Sequence, residues 1–238
     1  MKIALVGYGK MGKEIETIAI ERGHQISFRI SKENQQELQN INTANTDVAI
    51  EFSQPESAYE NLKFLLAKQI PVVCGTTGWL EKQAEIENFA LENETAFFYA
   101  SNFSLGVNLF FRLNEFLAKM MNTFPQYQVT MEEIHHTEKK DAPSGTAITL
   151  AKGILANYTH KKTWVNHHSD NTDELEIISK REPHVPGTHT ITYSSAEDYI
   201  EIKHEARNRK GFALGAVLAA EFVQGKKGVF GMNDLIHL

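Results

Sequence analysis

The segment EEIHHTEKKDAPSGTA, residues 132–147, concentrates side chains that can carry and exchange protons. It holds two histidines, two lysines and four acids beside a Pro-Ser-Gly-Thr turn. Histidine and lysine both donate protons near neutral pH, and Lys139 follows His135 and His136 by three to four residues. This spacing predicts general acid catalysis, and the alternative is a structural histidine beside solvated lysines.

The same histidine pair is a poor candidate for binding a metal ion. The alternating pattern of QYQVTMEEIHH predicts a strand, and a strand that continues through His135 and His136 points the two rings to opposite faces. No HExxH motif accompanies the pair, and the single cysteine, Cys74, is far away in the sequence. We therefore predict no metal site.

The turn APSGTA begins a helix that the sequence predicts over residues 144–158. Pro143 restricts the entry, and Gly145 and Thr146 place backbone N–H groups at the positive end of the helix. Free N–H groups at a helix start predict a site for a carboxylate, and the alternative is a capped helix without a ligand. The side chains able to cap this helix or to add positive charge are Ser144, Asp141, Lys139 and Lys140.

The amino-terminal part of the chain predicts a sheet with helices on both faces. Short apolar runs bounded by turn residues are typical of buried strands, and they occur in KIALV, HQISFRI, DVAIEF, PVVC and AFFYA. Helical segments are predicted between them, over residues 10–22, 53–68 and 80–92, with a capping box at Ser53 and Glu56. Strands that alternate with helices pair in parallel, which predicts a Rossmann-like, doubly wound α/β sheet.

The pattern changes after residue 104. LGVNLFFRLNEFLAKMM predicts an amphipathic helix, and the later strand-like runs ELEIISK, HTITYSS and YIEIKHEA have little helix between them. These elements predict a second, α+β domain built on an open mixed sheet, and a last helix over residues 212–224 closes the chain. The predicted boundaries are 1–104, completed by 206–238, for the first domain and 105–205 for the second.

GYGKMG is a glycine pattern that cradles a pyrophosphate when it follows a strand and opens a helix. Both conditions are predicted here. Gly7 permits the tight turn, Gly9 lets the backbone approach the pyrophosphate, and Gly12 lets the helix pack closely on the strand. The segment therefore predicts a dinucleotide site, and the alternative is a glycine turn without a ligand. The residues of this predicted cofactor site are Gly7, Tyr8, Gly9, Lys10, Met11 and Gly12.

Cofactor choice follows from the end of the second predicted strand. In dinucleotide-binding sheets an acid at this place bonds the ribose of NADH. Here Ser31 and Lys32 occupy it, and a hydroxyl and an ammonium accept a 2′-phosphate that a carboxylate would repel. The sequence therefore predicts NADPH or NADH as cofactor, with NADPH modestly favoured, unless Glu33 turns toward the ribose.

Two further turns fall where open α/β sheets bind ligands. GTTGW follows the fourth predicted strand and SNFSLGVN follows the fifth, so both lie at carboxyl ends of parallel strands. Their glycines and small hydroxylated residues suit contact with a nicotinamide and its ribose. Each turn taken singly is equally compatible with no ligand.

Composition excludes several classes of partner. The chain has 238 residues, a net charge of −6 and no basic run longer than a pair, which argues against nucleic acid. Its most apolar late segment, FALGAVLAAEFV, contains Glu221 and is too short for a membrane span, and the first apolar run is too short for a signal peptide. A single cysteine is typical of a reducing compartment, so we expect a cytoplasmic protein that binds neither nucleic acid nor membrane.

These segments, together with HH-x-x-K-x-DAPSGT and VPGTHT, resemble the 4-hydroxy-tetrahydrodipicolinate reductase (dihydrodipicolinate reductase) family over nearly the whole chain. The resemblance implies an NAD(P)H-dependent enzyme that reduces 4-hydroxy-tetrahydrodipicolinate, a small dicarboxylate cyclic imine, to tetrahydrodipicolinate in diaminopimelate and lysine biosynthesis. It also implies that the first domain binds the dinucleotide, that the second binds substrate, and that the sheet of the second domain joins a homotetramer.

The resemblance also implies roles for individual residues. His135 resembles the proton donor of the family and Lys139 its second catalytic residue. Ser31 departs from the family, which commonly has an acid there, and so supports the expectation of NADPH. The residues that match substrate-binding positions are His136, Gly145 and Thr146. Those that match cofactor-binding positions outside the glycine motif are Gly75, Thr76, Thr77, Ala100, Ser101, Asn102, Phe103 and Arg209.

Two other functions share some of these features. Another NAD(P)-dependent reductase of a small dicarboxylate would have the glycine motif without needing the HH-x-x-K-x-DAPSGT arrangement. A nicotinamide-sensing regulator without turnover would need a partner-binding surface, and the sequence has no basic patch or DNA-reading helix.

Overall fold

The computed structural model of the chain describes residues 1–236. The chain forms two compact units: unit 1 is Met1–Leu105 with Arg209–Leu238, and unit 2 is Gly106–Asn208. In chain order the elements are β1 (Lys2–Val6), α1 (Lys10–Glu21), β2 (Gln25–Ile30), a 3-10 turn (Gln35–Asn40), β3 (Val48–Glu51), α2 (Pro55–Ala67), β4 (Val72–Cys74), a second 3-10 turn (Leu80–Lys82), α3 (Gln83–Glu92), β5 (Ala96–Tyr99), α4 (Leu105–Met121), β6 (Gln128–His135), α5 (Gly145–Asn157), β7 (Thr163–Val165), β8 (Glu174–Arg181), β9 (Gly187–Ser194), β10 (Tyr199–Ala206), α6 (Lys210–Val223), β11 (Gly228–Phe230) and α7 (Met232–Ile236).

Unit 1 is built on a six-stranded parallel sheet. Its strand order is β11-β5-β4-β3-β1-β2, and each pair of neighbours is parallel. One hydrophobic cluster packs α1 and α6 on one face, and a second packs α2 and α3 on the other. Because the central strands are buried on both faces, they are continuous apolar runs in the sequence. The predicted Rossmann-like, doubly wound sheet is confirmed.

Unit 2 contains a five-stranded mixed sheet in the order β10-β9-β6-β8-β7. Its central strand β6 is antiparallel to β9 and parallel to β8, while α4 and α5 pack on one face. The predicted α+β architecture on a mixed sheet is confirmed. Burial alternates along β6, and the residues on its helix-covered face are Val129, Met131, Glu133 and His135. The strand therefore presents a buried carboxylate and a buried imidazole on one face.

Local details differ from the sequence-based expectation at a few elements. Helix α2 follows Gln54 without a side-chain cap, and the hydroxyl of Ser53 contacts Glu51 and Ser57 instead. The predicted capping box at Ser53 and Glu56 is therefore wrong. The sequence also does not predict β7, β11 or α7, because three-residue strands and a five-residue helix carry too little periodicity to recognise.

Two glycines allow close backbone contact within unit 1. Gly7 has a φ of +96°, and a Cβ there would lie 2.1 Å from the carbonyl oxygen of Phe52. Gly215 brings α6 against the segment after β5, since a Cβ at Gly215 would lie 1.8 Å from the carbonyl oxygen of Phe103. A side chain at either position would displace backbone, so both positions require glycine.

Candidate active site

Unit 1 has a cavity of about 510 Å³ where β1, β2 and β3 end. Carboxyl ends of parallel strands are the usual ligand site of an open α/β sheet. Of the residues predicted to bind cofactor, the cavity brings together Gly7, Tyr8, Gly9, Ser31 and Lys32. The predicted cofactor residues that do not line it are Lys10, Met11, Gly12, Gly75–Thr77, Ala100–Phe103 and Arg209.

The glycine turn begins where β1 ends. The N–H groups of Gly7 and Tyr8 both donate to the carbonyl oxygen of Ile30, at 2.9 Å each. Gly9 precedes α1 without a side-chain capping bond, and a Cβ at Gly9 would meet no atom within 4 Å. The start of α1 therefore offers uncapped N–H groups and open space, which suits the pyrophosphate of a dinucleotide.

Tyr8 lines this cavity, and hydrogen bonds hold its side chain in place. Its hydroxyl donates to the carboxylate of Glu16 on α1, and that carboxylate also accepts from Nε of Arg29 at 3.0 Å. The hydrogen bond from Arg29 lowers the pKa of Glu16, so the carboxylate stays ionised and keeps both donors at neutral pH. The ring of Tyr8 is thereby held through contacts on α1 and β2.

The turn after β2 shapes the end of the cavity expected to hold the adenosine ribose. Oδ1 of Asn34 accepts from the N–H and the hydroxyl of Ser31, at 2.7 and 3.0 Å. The hydroxyl of Ser31 is therefore engaged within the turn, whereas Lys32 and Glu33 are exposed at the cavity. Lys13, which is not among the predicted cofactor residues, lines the same cavity from the first turn of α1. Its place directly after Gly12, the last residue of the glycine motif, is a signal that could have found it.

The other predicted cofactor segments include structural contacts. Oγ1 of Thr76 accepts from the N–H of Ser53 at 2.8 Å and so links the loops after β3 and β4. Phe103 is buried and stacks on Phe98. These contacts fix the loops at the strand ends, and cofactor binding by their residues stays a prediction. The exposed members of these segments are Thr77, Ser101 and Arg209.

Unit 2 places a buried carboxylate beside two imidazoles. Glu133 is 1% exposed, and its Oε2 lies 3.4 Å from Nδ1 of His135 and 3.6 Å from Nε2 of His189. Its Oε1 accepts from the N–H of Ser144 at 3.0 Å and from the hydroxyl of Ser179 at 2.7 Å. In the sheet Glu133 pairs with Ser179 on β8 and with His189 on β9. The strand register therefore assembles this cluster.

The protonation states of this cluster follow from burial and hydrogen bonding. Burial acts to raise the pKa of Glu133, but hydrogen bonds from His189, Ser144 and Ser179 outweigh it and lower that pKa to about 2. Burial lowers the pKa of His135 to about 4, against the opposing effect of the Glu133 carboxylate. The carboxylate is therefore charged and the imidazole of His135 neutral near pH 7. An anionic ligand beside His135 would raise its pKa, because negative charge favours the protonated ring.

The loop after β6 carries Lys139. The ammonium of Lys139 pairs with the carboxylate of Asp141 at 2.8 Å, and this hydrogen bond lowers the pKa of Asp141. Arg181 on β8 donates to the carbonyl oxygens of Lys139, at 3.2 Å, and of Asp141, at 2.6 Å. Arg181 therefore holds the loop. Spacing along the sequence does not indicate Arg181, Glu133 or His189 as site residues, because their partners come from neighbouring strands and loops.

The start of α5 is capped by Ser144. Its Oγ accepts from the N–H of Ala147 at 3.1 Å, so Ser144 rather than Asp141 is the cap. Gly145 is exposed, Thr146 is half-buried, and a Cβ at Gly145 would meet no atom within 4 Å. This helix start has room beside its first N–H groups, as a carboxylate site requires.

The two adjacent histidines are not a pair in the structure. Strand β6 ends at His135, and His136 lies beyond it and is half-buried. His135 instead groups with Glu133 and His189, each with a potential ligand atom within 4.8 Å of the others. Such distances would admit a metal ion, but the carboxylate already accepts from a backbone N–H and a hydroxyl. The absence of a metal site stays a prediction.

Comparison with known proteins identifies the family. The family models described as dihydrodipicolinate reductase, N-terminus, and dihydrodipicolinate reductase, C-terminus, match residues 1–103 and 106–236. The chain is 50% identical over 236 residues to the 4-hydroxy-tetrahydrodipicolinate reductase of Christiangramia forsetii. These residues make up 99% of this chain and 98% of that relative. The chain belongs to the dihydrodipicolinate reductase family.

The chain is also similar to other members of the dihydrodipicolinate reductase family. The 4-hydroxy-tetrahydrodipicolinate reductase of Methanocaldococcus jannaschii is 36% identical over 199 residues, which are 81% of this chain and 72% of that relative. The solved structure of a dipicolinate-bound dihydrodipicolinate reductase from Paenisporosarcina sp. TG-14 aligns with a TM-score of 0.77 at 22% identity over 97% of both chains. That likeness supports the fold.

Membership in the dihydrodipicolinate reductase family confirms the predicted enzyme class. The chain is an NAD(P)H-dependent oxidoreductase of diaminopimelate and lysine biosynthesis, and the substrate of the family is a cyclic dicarboxylate. A different dicarboxylate reductase and a nicotinamide-sensing regulator are set aside, because both halves of the chain match this one family. Within residues 1–236, no helix is long and apolar enough to cross a membrane.

Proposed function

We propose that this chain reduces 4-hydroxy-tetrahydrodipicolinate to tetrahydrodipicolinate with His135 as proton donor and Lys139 as second catalytic residue. The observation that carries the proposal is the buried imidazole of His135 beside the ionised carboxylate of Glu133. The loop directly after β6 belongs to the same unit, carries Lys139 and is held by hydrogen bonds from Arg181. Residues 1–104 with 206–238 would bind the cofactor, and residues 105–205 would bind the substrate.

When bound, NAD(P)H would supply a hydride to C4 of the ring, after the 4-hydroxyl and a proton of the neighbouring carbon have left as water and formed a C=C bond conjugated with the imine. The electron density gained by the ring requires a proton at the neighbouring carbon, and His135 delivers it. The two carboxylates of the substrate favour the protonated form of His135, which is neutral without them. General acid catalysis of this kind contributes roughly 10²–10⁴-fold in rate.

The remaining residues of unit 2 bind and orient the dicarboxylate. Lys139 is held by Asp141, and a substrate carboxylate competes for its ammonium and draws it toward the developing charge. The N–H groups of Gly145 and Thr146, at the open start of α5, bind a carboxylate. His136, half-buried just beyond β6, completes the substrate-binding set.

For the cofactor we propose that the uncapped start of α1 binds the pyrophosphate and that NADPH is modestly favoured. Lys32 and Lys13 bring two ammonium groups to the cavity against the one carboxylate of Glu33. The hydroxyl of Ser31, already bonded to Asn34, contributes less than its residue type suggests. The further proposed cofactor contacts are Gly75, Thr76, Thr77, Ala100, Ser101, Asn102, Phe103 and Arg209.

Steady-state kinetics with both cofactors test this assignment. The wild type should have a kcat/KM several-fold higher with NADPH than with NADH, since one exposed charge-assisted contact has a small effect. Lys32→Gln should bring this ratio toward one. Ser31→Asp should turn the preference toward NADH, because its carboxylate bonds the ribose and repels a 2′-phosphate.

The matched control for cofactor choice is Lys227→Gln, which removes an exposed lysine of unit 1 that pairs with Glu94. This variant should keep the wild-type ratio of kcat/KM values. A wild type that strongly prefers NADH, and loses that preference in Glu33→Gln, would show that Glu33 binds the ribose.

We also propose that the enzyme is a cytoplasmic homotetramer joined through the sheet of unit 2. Support comes from this sheet, because α4 and α5 pack on one face and the outer residues of β10 are exposed, with Tyr199 at 68%. Light scattering on the purified protein should give about four times the chain mass of 26.9 kDa. A mass of one or two chains at micromolar concentration would contradict the assembly.

A further inference from the structure

The buried carboxylate of Glu133 stands out among the residues of β6. It shares a face with Val129 and Met131, which pack in the apolar core of unit 2, yet it is 1% exposed and charged. Burying a charge is costly unless hydrogen bonds compensate it. The N–H of Ser144 donates to Oε1 at 3.0 Å and to Oε2 at 3.2 Å, and the hydroxyl of Ser179 donates to Oε1 at 2.7 Å. Oε2 also faces two imidazoles.

Two rings meet Glu133 at Oε2. Nδ1 of His135 lies 3.4 Å from Oε2, an ion-pair distance without an aligned hydrogen bond, and Nε2 of His189 lies 3.6 Å from the same oxygen. The two rings pack edge to face with centroids 5.1 Å apart. The Nε2 of His135 faces Gly187, where a Cβ would lie 3.0 Å from it. The carboxylate therefore faces Nδ1, and we assign proton exchange with a ligand to the other ring nitrogen, Nε2.

We infer that Glu133 is a positioning residue that holds the His135 ring by its Nδ1 edge and stabilises the imidazolium, with His189 packed against both groups. This inference rests on the proposed role of His135 as proton donor. It adds a residue that acts through His135 and touches no substrate atom.

The charges around His135 indicate the direction of the effect. Glu133 on β6 is the carboxylate that favours the protonated ring, while burial and the basic groups on the neighbouring elements disfavour it. Those groups are His189 on β9, Arg181 on β8 and Lys139 in the loop after β6. Removing the charge of Glu133 therefore lowers the pKa of His135 further. Since a general acid acts in its protonated form, activity is lost as pH rises through this pKa.

The first test is Glu133→Gln, which keeps the size of the side chain and an oxygen that accepts from Ser144 and Ser179. We expect the high-pH limb of kcat to move to lower pH by about one unit, and kcat near neutral pH to fall about ten-fold. The KM for NADPH should stay unchanged, because cofactor-binding residues are untouched. If the high-pH limb of kcat in Glu133→Gln lies at the wild-type pH, the inference is overturned.

The matched control is Glu132→Gln. Glu132 is the neighbour of Glu133 on β6, points to the opposite face and pairs with the exposed Lys180. Its replacement removes one charge from the same strand and should leave kcat and its pH dependence at wild-type values. An equal loss of kcat in Glu132→Gln and Glu133→Gln would show that the effect comes from net charge, and it would overturn the inference.

A double-mutant cycle with His135 separates action through that ring from a structural role. In the His135→Gln background, Glu133→Gln should lower kcat by less than about two-fold, because the group it acts on is gone. A ten-fold loss in that background would overturn the inference while leaving His135 as proton donor. Near wild-type activity of His135→Gln alone would instead remove the proposed function on which the inference rests.

A second variant covers the case that Glu133→Gln does not fold. Glu133→Asp keeps the charge and moves it away by one methylene, so kcat should fall and the high-pH limb of kcat should move to lower pH by a fraction of one unit. A high-pH limb at or above the wild-type pH in Glu133→Asp, at unchanged Tm, would show that the charge does not set the protonation of His135 and would overturn the inference.

Discussion

Replacing His135 by Gln is expected to lower kcat by about 100-fold or more. Gln occupies a similar volume and can hydrogen-bond, but it has no proton to give near neutral pH. The cavity of unit 1 that we propose to bind the cofactor is untouched, so the KM for NADPH should change little. The measurement is steady-state kinetics with freshly generated 4-hydroxy-tetrahydrodipicolinate at saturating NADPH, with kcat and KM determined separately.

The control for His135→Gln is His168→Gln. The His168 side chain is 84% exposed in the same unit and contacts Glu176 at the surface. Its replacement makes the same chemical change at a solvated position and should leave kcat unchanged. A His135→Gln enzyme with near wild-type kcat would remove His135 from the mechanism and leave Lys139 as the candidate proton donor.

Gly215→Ala should destabilise unit 1 by roughly 3 kcal/mol or more, because a Cβ at this position would lie 1.8 Å from the carbonyl oxygen of Phe103. Backbone must move to relieve this contact, and the helix α6 or the segment after β5 is displaced. For a chain of this size the Tm should fall by roughly 6 °C or more. The KM for NADPH should also rise, since Phe103 lies in a proposed cofactor segment. Scanning calorimetry and cofactor titration measure both effects.

Gly211→Ala is the control in the same helix. A Cβ at Gly211 would lie 3.7 Å from Oγ of Ser104, which is an ordinary contact. Alanine favours a helix over glycine by up to about 1 kcal/mol, so the Tm should stay the same or rise slightly. A Gly215→Ala protein with a Tm within about 2 °C of the wild type would show that α6 shifts without cost.

The glycine turn and the first sheet illustrate what local sequence can predict. Gly7 needs a positive φ, and the glycine motif follows a strand and opens a helix. The geometry of the motif therefore depends on residues that are neighbours in the sequence. Helix caps are harder to predict from sequence, because a side chain able to cap a helix can form a hydrogen bond with another group instead. Ser144 caps α5, whereas the hydroxyl of Ser53 bonds the buried carboxylate of Glu51 and leaves α2 without a side-chain cap.

Sequence pattern alone predicted the fold class, which the structure confirms, and indicated His135, Lys139, Gly145 and Thr146 as candidate site residues, because both depend on periodicity and spacing along single elements. It could not find the neighbours that set the chemistry of His135. Ser179 is 46 residues from Glu133, and His189 and Arg181 also come from other strands. Which residues face one another across strands depends on register, and a one-residue slip turns each side chain to the other face. Only the tertiary structure decides that register, and with it the carboxylate beside the proposed proton donor.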